Sequence, residues 1–307
     1  MNVCYSFIGP LPSYSIEQAH QLRLFYNGPA YFILNDYNNP NVTLLRDKYN
    51  INIIRYDDVI HTDFIKLIGK TKHKFYILHN SKGRENLFIY SFERFYVLYN
   101  LMIKYSLNNV LFIELDNLVY DDPRKWLSAV KDVDMAYLFD NNDRASAGIS
   151  FIQNHKVLLK MLEYFNIYIE NDTGFINEMS AMARFYQYME KKGGGTFNVS
   201  FLPIHWNDPT KPPQSYALSN MFADSIFDAA AIGVYLAGGD THHTGGKIIL
   251  GKKNQWSLID YTNYKFIYIK DEEDRKIPYI VKDSSHIRIN NLHIHSKDLI
   301  NHLSKPL

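Results

Sequence analysis

The 307-residue sequence predicts an α/β protein, with a buried sheet flanked by helices and a more irregular C-terminal third. Three observations lead there. Short apolar runs alternate with helical patterns through the first half, which is the signature of strand–helix–strand repetition. The run Val110-Leu111-Phe112-Ile113 is too continuously apolar for anything but a strand covered on both faces. The last hundred residues give up this regularity for turns and short extended pieces. Repeated strand–helix–strand units imply a parallel, mostly buried sheet of Rossmann-like character.

In chain order, residues 3–8 read as a strand and 15–25 as a helix. Residues 30–34 form a second strand, closed by the polar turn Asn35-Asp36-Tyr37-Asn38-Asn39-Pro40. A helix over 43–49 leads into a third strand at 51–55. Residues 92–105 are the clearest helix, with Phe95, Leu98, Met102 and Tyr105 spaced by three and four. The strand 110–113 follows, then strands at 135–139 and 148–153 and a helix over 156–164. A helix over 172–190 should stop at Gly193-Gly194-Gly195, and a short small-residue helix over 224–236 should stop at Gly238-Gly239. The expected organisation is one domain over 1–307 whose C-terminal third wraps back onto the sheet.

Composition narrows the function. The chain carries 33 Lys and Arg against 32 Asp and Glu, a net charge of +1 that argues against a nucleic-acid binder. Its single cysteine, Cys4, excludes an intramolecular disulfide framework or a cysteine zinc cluster and suits a reducing compartment. The N-terminus has no basic start followed by an apolar run. No uncharged stretch approaches the roughly 20 residues of a membrane helix. The expectation is a cytoplasmic protein with no membrane span.

The chemistry concentrates at Ile113-Glu114-Leu115-Asp116-Asn117. Alternation on an extended chain would put Glu114 and Asp116 on one side, and ligands of open α/β sheets collect at the carboxyl ends of strands. Two carboxylates converging there repel unless a cation joins them. A hard divalent ion shared with substrate phosphates meets that need; solvated acids at a strand exit are the plainer alternative.

Read with its neighbours, Glu114-Leu115-Asp116 resembles the DxD motif of GT-A glycosyltransferases in an ExD form. Phe92-Glu93-Arg94-Phe95-Tyr96 resembles the Arg-bearing helix that precedes it in glycogenin-like and bacterial transferases. Ser146-Ala147-Gly148-Ile149-Ser150 resembles their Asn-Ala-Gly strand, and Leu202-Pro203-Ile204-His205-Trp206-Asn207 their LPxxWN segment. Leu292-His293-Ile294-His295-Ser296-Lys297 resembles their closing His…Lys element. With Phe227-Asp228-Ala229-Ala230-Ala231-Ile232-Gly233, the order is most similar to uncharacterised transferases of large DNA viruses and some bacteria. The resemblance implies a GT-A-like mixed sheet and a metal-dependent transfer from a UDP- or GDP-sugar to a glycan or glycoprotein acceptor, in host cytoplasm or a virion if viral. It implies Mn²⁺ or Mg²⁺ held by Glu114, Asp116 and His295 or His293, with Ser296, Lys297 and Arg94 meeting the donor. It also implies a nucleotide-sugar-binding half at about 1–155, and an acceptor-binding half with the C-terminal closure at about 156–307. A catalytically inactive sugar- or nucleotide-binding virion component is the competing expectation. A phosphoryl-transfer enzyme is disfavoured, because no phosphate-cradling loop is present.

Other candidates keep two readings. Asn35 and Asp36 end a strand where a base or ribose would lie, but are also ordinary turn residues. Asp228 can cap a helix or serve acceptor hydroxyls as a catalytic carboxylate. Asp172 can cap or stand beside the anomeric centre. His242-His243 in a Gly-rich turn fit a loop beside the acceptor.

Overall fold

The computed structural model describes residues 1–75, 86–191 and 196–307. The first half runs β1 (Asn2–Phe7), α1 (Ser15–Phe25), β2 (Ala30–Leu34), α2 (Pro40–Asp47), β3 (Asn52–Arg55), α3 (Thr62–Thr71), α4 (Leu87–Lys104), β4 (Val110–Ile113) and β5 (Asn117–Val119). It continues through β6 (Met135–Asn141), β7 (Arg144–Ile152), α5 (His155–Asn171), α6 (Glu178–Lys191) and β8 (Val199–Phe201). The remainder holds β9 (Ser225–Ile226), α7 (Ile232–Ala237), β10 (Lys265–Lys270), β11 (Lys276–Lys282), β12 (Ser285–Ile289) and β13 (Asn291–His293).

Seven strands form the main sheet in the order β3-β2-β1-β4-β7-β6-β8. The first four are parallel, as strand–helix repetition dictates. The sheet is nonetheless mixed, because β7 runs antiparallel to both β4 and β6. Only two residues separate β6 from β7, so the pair is a hairpin, and a hairpin cannot be parallel. Side chains alternate between two buried faces. Val3, Tyr5, Leu111 and Ile113 join the apolar cluster under α1 and α2. Cys4, Val110 and Phe112 join the cluster under α3 to α6.

Several boundaries differ from the sequence expectation for local reasons. Helix α2 begins at Pro40, because Asn39 caps it by accepting the Asn41 N–H at 3.1 Å and proline suits the first turn. Helix α5 runs on to Asn171, with Phe165, Tyr168 and Ile169 continuing its buried stripe. Asp172 therefore ends α5 instead of starting the next helix, and its Oδ1 accepts the Gly174 N–H at 2.8 Å. The expected stop at Gly193-Gly194-Gly195 lies outside the described residues. The helix expected over 224–236 shrinks to α7. Ser225 and Ile226 pair with β12, and Ala230 takes a left-handed conformation (φ 63°) that interrupts any helix. Tyr105, expected on the buried stripe of α4, is 42% exposed.

The C-terminal third adds a four-stranded sheet, β10-β11-β12-β9, and a two-stranded pair, β13-β5. That pair matters most for the site, since it fastens the end of the chain beside the end of β4. No helix among the described residues is long and apolar enough to cross a membrane.

Candidate functional site

Glu114 and Asp116 do converge, but through a turn. Strand β4 ends at Ile113, and the Asn117 N–H returns to the Glu114 carbonyl at 3.0 Å. Leu115 between them is 5% exposed and packs into the core, so the turn closes around it with both flanking acids turned to the cleft, where Asp116 is itself only 7% exposed. Glu114 N–H also donates to the Gly148 carbonyl at 3.0 Å, tying the turn to β7.

The closing segment reaches this turn through strand pairing. In the β13–β5 ladder His293 stands opposite Asn117, Leu292 opposite Leu118 and Asn291 opposite Val119. The Ile294 N–H then donates to the Asp116 carbonyl at 2.7 Å. A buried polar chain locks the register. Asn291 Nδ2 donates to Asn117 Oδ1 at 2.5 Å and to the Asp228 carbonyl at 3.1 Å, while its Oδ1 accepts the Asp228 N–H at 2.9 Å. Asp228, fully buried, accepts four main-chain N–H groups, from Ala231, Ile232, Gly233 and His293, at 2.7–2.9 Å. It binds the start of α7 to β13.

Two glycines make room for His293. A Cβ on Gly148 would lie 2.7 Å from the His293 Nδ1 and 2.6 Å from the Asn117 amide. On Gly233 it would lie 2.1 Å from the His293 carbonyl oxygen. Neither position tolerates a side chain without moving the histidine or its strand.

The result is a dense array of charge. Asp116, His293 and His295 each present a ligand atom, all within 4.8 Å of one another. His293 Nε2 lies 3.2 Å from Glu114 Oε2 and 3.3 Å from Asp116 Oδ1. The Lys297 ammonium pairs with Asp116, and the Arg94 guanidinium with Glu114 and, at 3.0 Å, with Glu178. Burial disfavours an ionised Asp116, yet Lys297 and His293 outweigh it and hold the carboxyl well below the usual range. Burial likewise works against a charged His293, but Asp116 and Glu114 prevail and raise its pKa. Burial and the neighbouring His293 push His295 down to about 3, so its imidazole is neutral with a lone pair to offer. One carboxylate and two imidazoles suit a divalent transition metal. His293 Nδ1 is buried without a hydrogen-bond partner, so the ring is positioned by packing and by what its other nitrogen meets.

These groups line one cleft of about 930 Å³. Of the residues singled out in the sequence, Arg94, Glu114, Asp116, His293, His295 and Lys297 face it. Asp228 lies beneath, with both oxygens committed to main-chain donors. Ser296 is buried and its Oγ accepts the Asp298 N–H at 3.4 Å. Asn35 and Asp36 hold the loop after β1, accepting the Gly9 and Leu11 N–H groups at 2.9 Å each. Asp172 pairs with Arg184 and does not line the cleft. His205 is buried, bonded to the Trp206 carbonyl and the Tyr264 hydroxyl at 3.0 Å each, away from the cleft. The cleft also takes Asp140, Arg144, Glu178 and Trp256, which pattern reading passed over. Asp140 and Arg144 bracket the β6–β7 hairpin, and two opposite charges at the mouth of a buried hairpin were the available signal.

No family model matches the chain, and no curated protein matches it. Solved structures do. Mouse xyloside xylosyltransferase 1 in its apo form is 10% identical, over 67% of this chain and 86% of that one, with a TM-score of 0.43. The galactosyltransferase LgtC in complex with donor and acceptor sugar analogues is 12% identical over 68% and 76%, at 0.43. A cytidylyltransferase from Leptospira borgpetersenii is 9% identical over 66% and 75%, at 0.35. The functional reading rests on the cleft itself.

Proposed function

We propose that this chain is a metal-dependent glycosyltransferase with a GT-A-like fold, moving a sugar from a UDP- or GDP-sugar to a glycan or glycoprotein acceptor. The observation that carries this reading is the meeting of Asp116 with His293, His295 and Lys297, residues about 180 positions apart, at the carboxyl end of a central strand. Ligands of open α/β sheets collect at that place.

Asp116, His293 and His295 would hold Mn²⁺, which two imidazoles suit better than Mg²⁺, and Glu114 stands beside them, oriented by Arg94. Such an ion supplies positive charge to a diphosphate and so favours departure of the nucleoside diphosphate. Lys297, paired with Asp116, adds a point charge for phosphate oxygens. Ser296 and the strand-end pair Asn35 and Asp36 belong to the donor side in this reading, with the strands and helices before β6 forming most of the nucleotide-sugar half. Asp228 supports the site as a positioning residue, since it holds the His293 main chain and the glycine turn behind it.

The test is Asp116→Asn, which keeps the side-chain volume. Mn²⁺-dependent hydrolysis of the preferred UDP- or GDP-sugar should fall at least about a hundredfold, and the Mn²⁺-plus-nucleotide thermal shift should vanish. Parent-level Mn²⁺-dependent turnover in the variant would sink the proposal.

A further inference from the structure

Beyond the charged centre, the same cleft ends in a group that a metal and a diphosphate leave unused. Asp140 lines the cleft, is 5% exposed, and its Oδ1 is buried without a hydrogen-bond partner. Arg144 lies beside it, Nη2 to Oδ2 at 3.4 Å, and its Nε is also buried and unpartnered. Unsatisfied buried polar atoms are costly, and several lining one cleft imply a polar occupant. Above them stands Trp256, 57% exposed, its ring centroid 5.7 Å from the Arg144 guanidinium.

This tryptophan is held firmly for an exposed residue. Its main-chain N–H donates to Asn254 Oδ1 at 3.0 Å, and its main-chain carbonyl accepts Asn141 Nδ2 at 3.1 Å. Two residues on, the Leu258 N–H donates to the Asp140 carbonyl at 2.7 Å. Asn254 Nδ2 in turn donates to the Ala230 carbonyl at 3.2 Å, another residue of the cleft lining. The backbone of the loop is thus fastened at several points, and Trp256 presents a flat apolar ring to solvent.

We propose that Trp256, Arg144 and Asp140 form a subsite for a neutral pyranose of the acceptor. A pyranose has one face of C–H groups, which stacks on an aromatic ring, and hydroxyls at its edge that both donate and accept. Asp140 Oδ1 accepts a hydrogen bond from a sugar hydroxyl and Arg144 Nε–H donates one to a ring-edge oxygen, once a small side-chain shift turns these two buried atoms to the sugar. Trp256 covers the apolar face and sets the orientation in which an acceptor hydroxyl meets the charged centre. The inference rests on the transferase reading of the cleft.

The experiment uses the full chain with Mn²⁺ and UDP, and lactose, maltose and cellobiose at millimolar concentration as probes, each observed by saturation-transfer NMR. At least one disaccharide should bind the parent. Trp256→Ala should weaken it about tenfold, with Trp256→Phe retaining most of the affinity because a flat ring remains. Arg144→Gln should weaken the same sugar without loss of the Trp256 contact, which checks the subsite should Trp256→Ala fail to fold. Equal affinity in parent, Trp256→Ala and Arg144→Gln overturns the inference, as does a parent that binds Mn²⁺–UDP but none of the three sugars. A parent that binds a sugar through Trp256 yet ignores Mn²⁺–UDP would count against the transferase reading instead.

Discussion

The Glu114–Asn117 turn and the Asn291–Lys297 segment lie against each other, yet the chain makes them in opposite ways. The turn is local: an apolar strand ends, Leu115 is drawn into the core, and the acids on either side are turned to the cleft. The closing segment has no such local cause. His293 reaches the acids only because β13 pairs with β5, because the Asn117–Asn291–Asp228 chain fixes that register, and because Gly148 and Gly233 leave a slot. The turn should therefore be robust, and the closure sensitive to changes that never touch a charged group.

Gly233→Ala is the strongest test of that contrast. Its Cβ would meet the His293 carbonyl oxygen, which is main chain and cannot swing aside. We expect about 3 kcal/mol of lost stability in urea unfolding together with loss of Mn²⁺ binding. Gly148→Ala meets the His293 ring instead, so metal affinity should fall some 10–100-fold, as for other disturbances of ligand orientation, with a smaller loss of stability. If Gly233→Ala unfolds like the parent, the slot is wider than described and the closure is not held by it.

Asp228→Asn sharpens the comparison at intermediate size. Were Asp228 only a helix cap, the change would be under about 1 kcal/mol, because Asn caps nearly as well. Four main-chain donors converging on both carboxylate oxygens alter that expectation. An amide turns one acceptor into a donor facing N–H groups, so about 2 kcal/mol should be lost, and Mn²⁺ affinity should decline with it as β13 loosens. Unchanged stability and Mn²⁺ binding beside a hundredfold loss of transfer would restore a direct catalytic role for Asp228.

The smallest effect is expected at Asp172. It ends α5 and pairs with Arg184, itself half exposed, and such surface pairs contribute under about 1 kcal/mol. Asp172→Ala should leave Mn²⁺-dependent turnover within about twofold of the parent. A loss beyond about tenfold would mean that the segment after α5 moves into the cleft during the reaction.

How much of this was readable beforehand follows the same division. Strands β2 and β4 and helix α1 fall where periodicity and composition put them, because each is a short element whose buried face is encoded in consecutive residues. The cap at Asn39 and the extension of α5 were legible in principle and were hidden by turn-like composition and a gradual decline of the pattern. The charged centre was legible as a list of residues: Arg94, Glu114, Asp116, His293, His295 and Lys297 all face one cleft. Its geometry was not. The acids converge through a turn and not by strand alternation, and Asp228 supports β13 from below.

The sequence by itself determined the layered α/β core and the chemical kinds of group at the site, since burial pattern and side-chain chemistry are properties of short segments. Tertiary structure alone decided which groups meet. The antiparallel place of β7, the polar chain through Asn117 and Asn291, the slot cut by Gly148 and Gly233, and the Asp140–Arg144–Trp256 corner all depend on contacts between distant segments. Such contacts form only after the core has fixed strand order and register, and no window along the chain contains both partners.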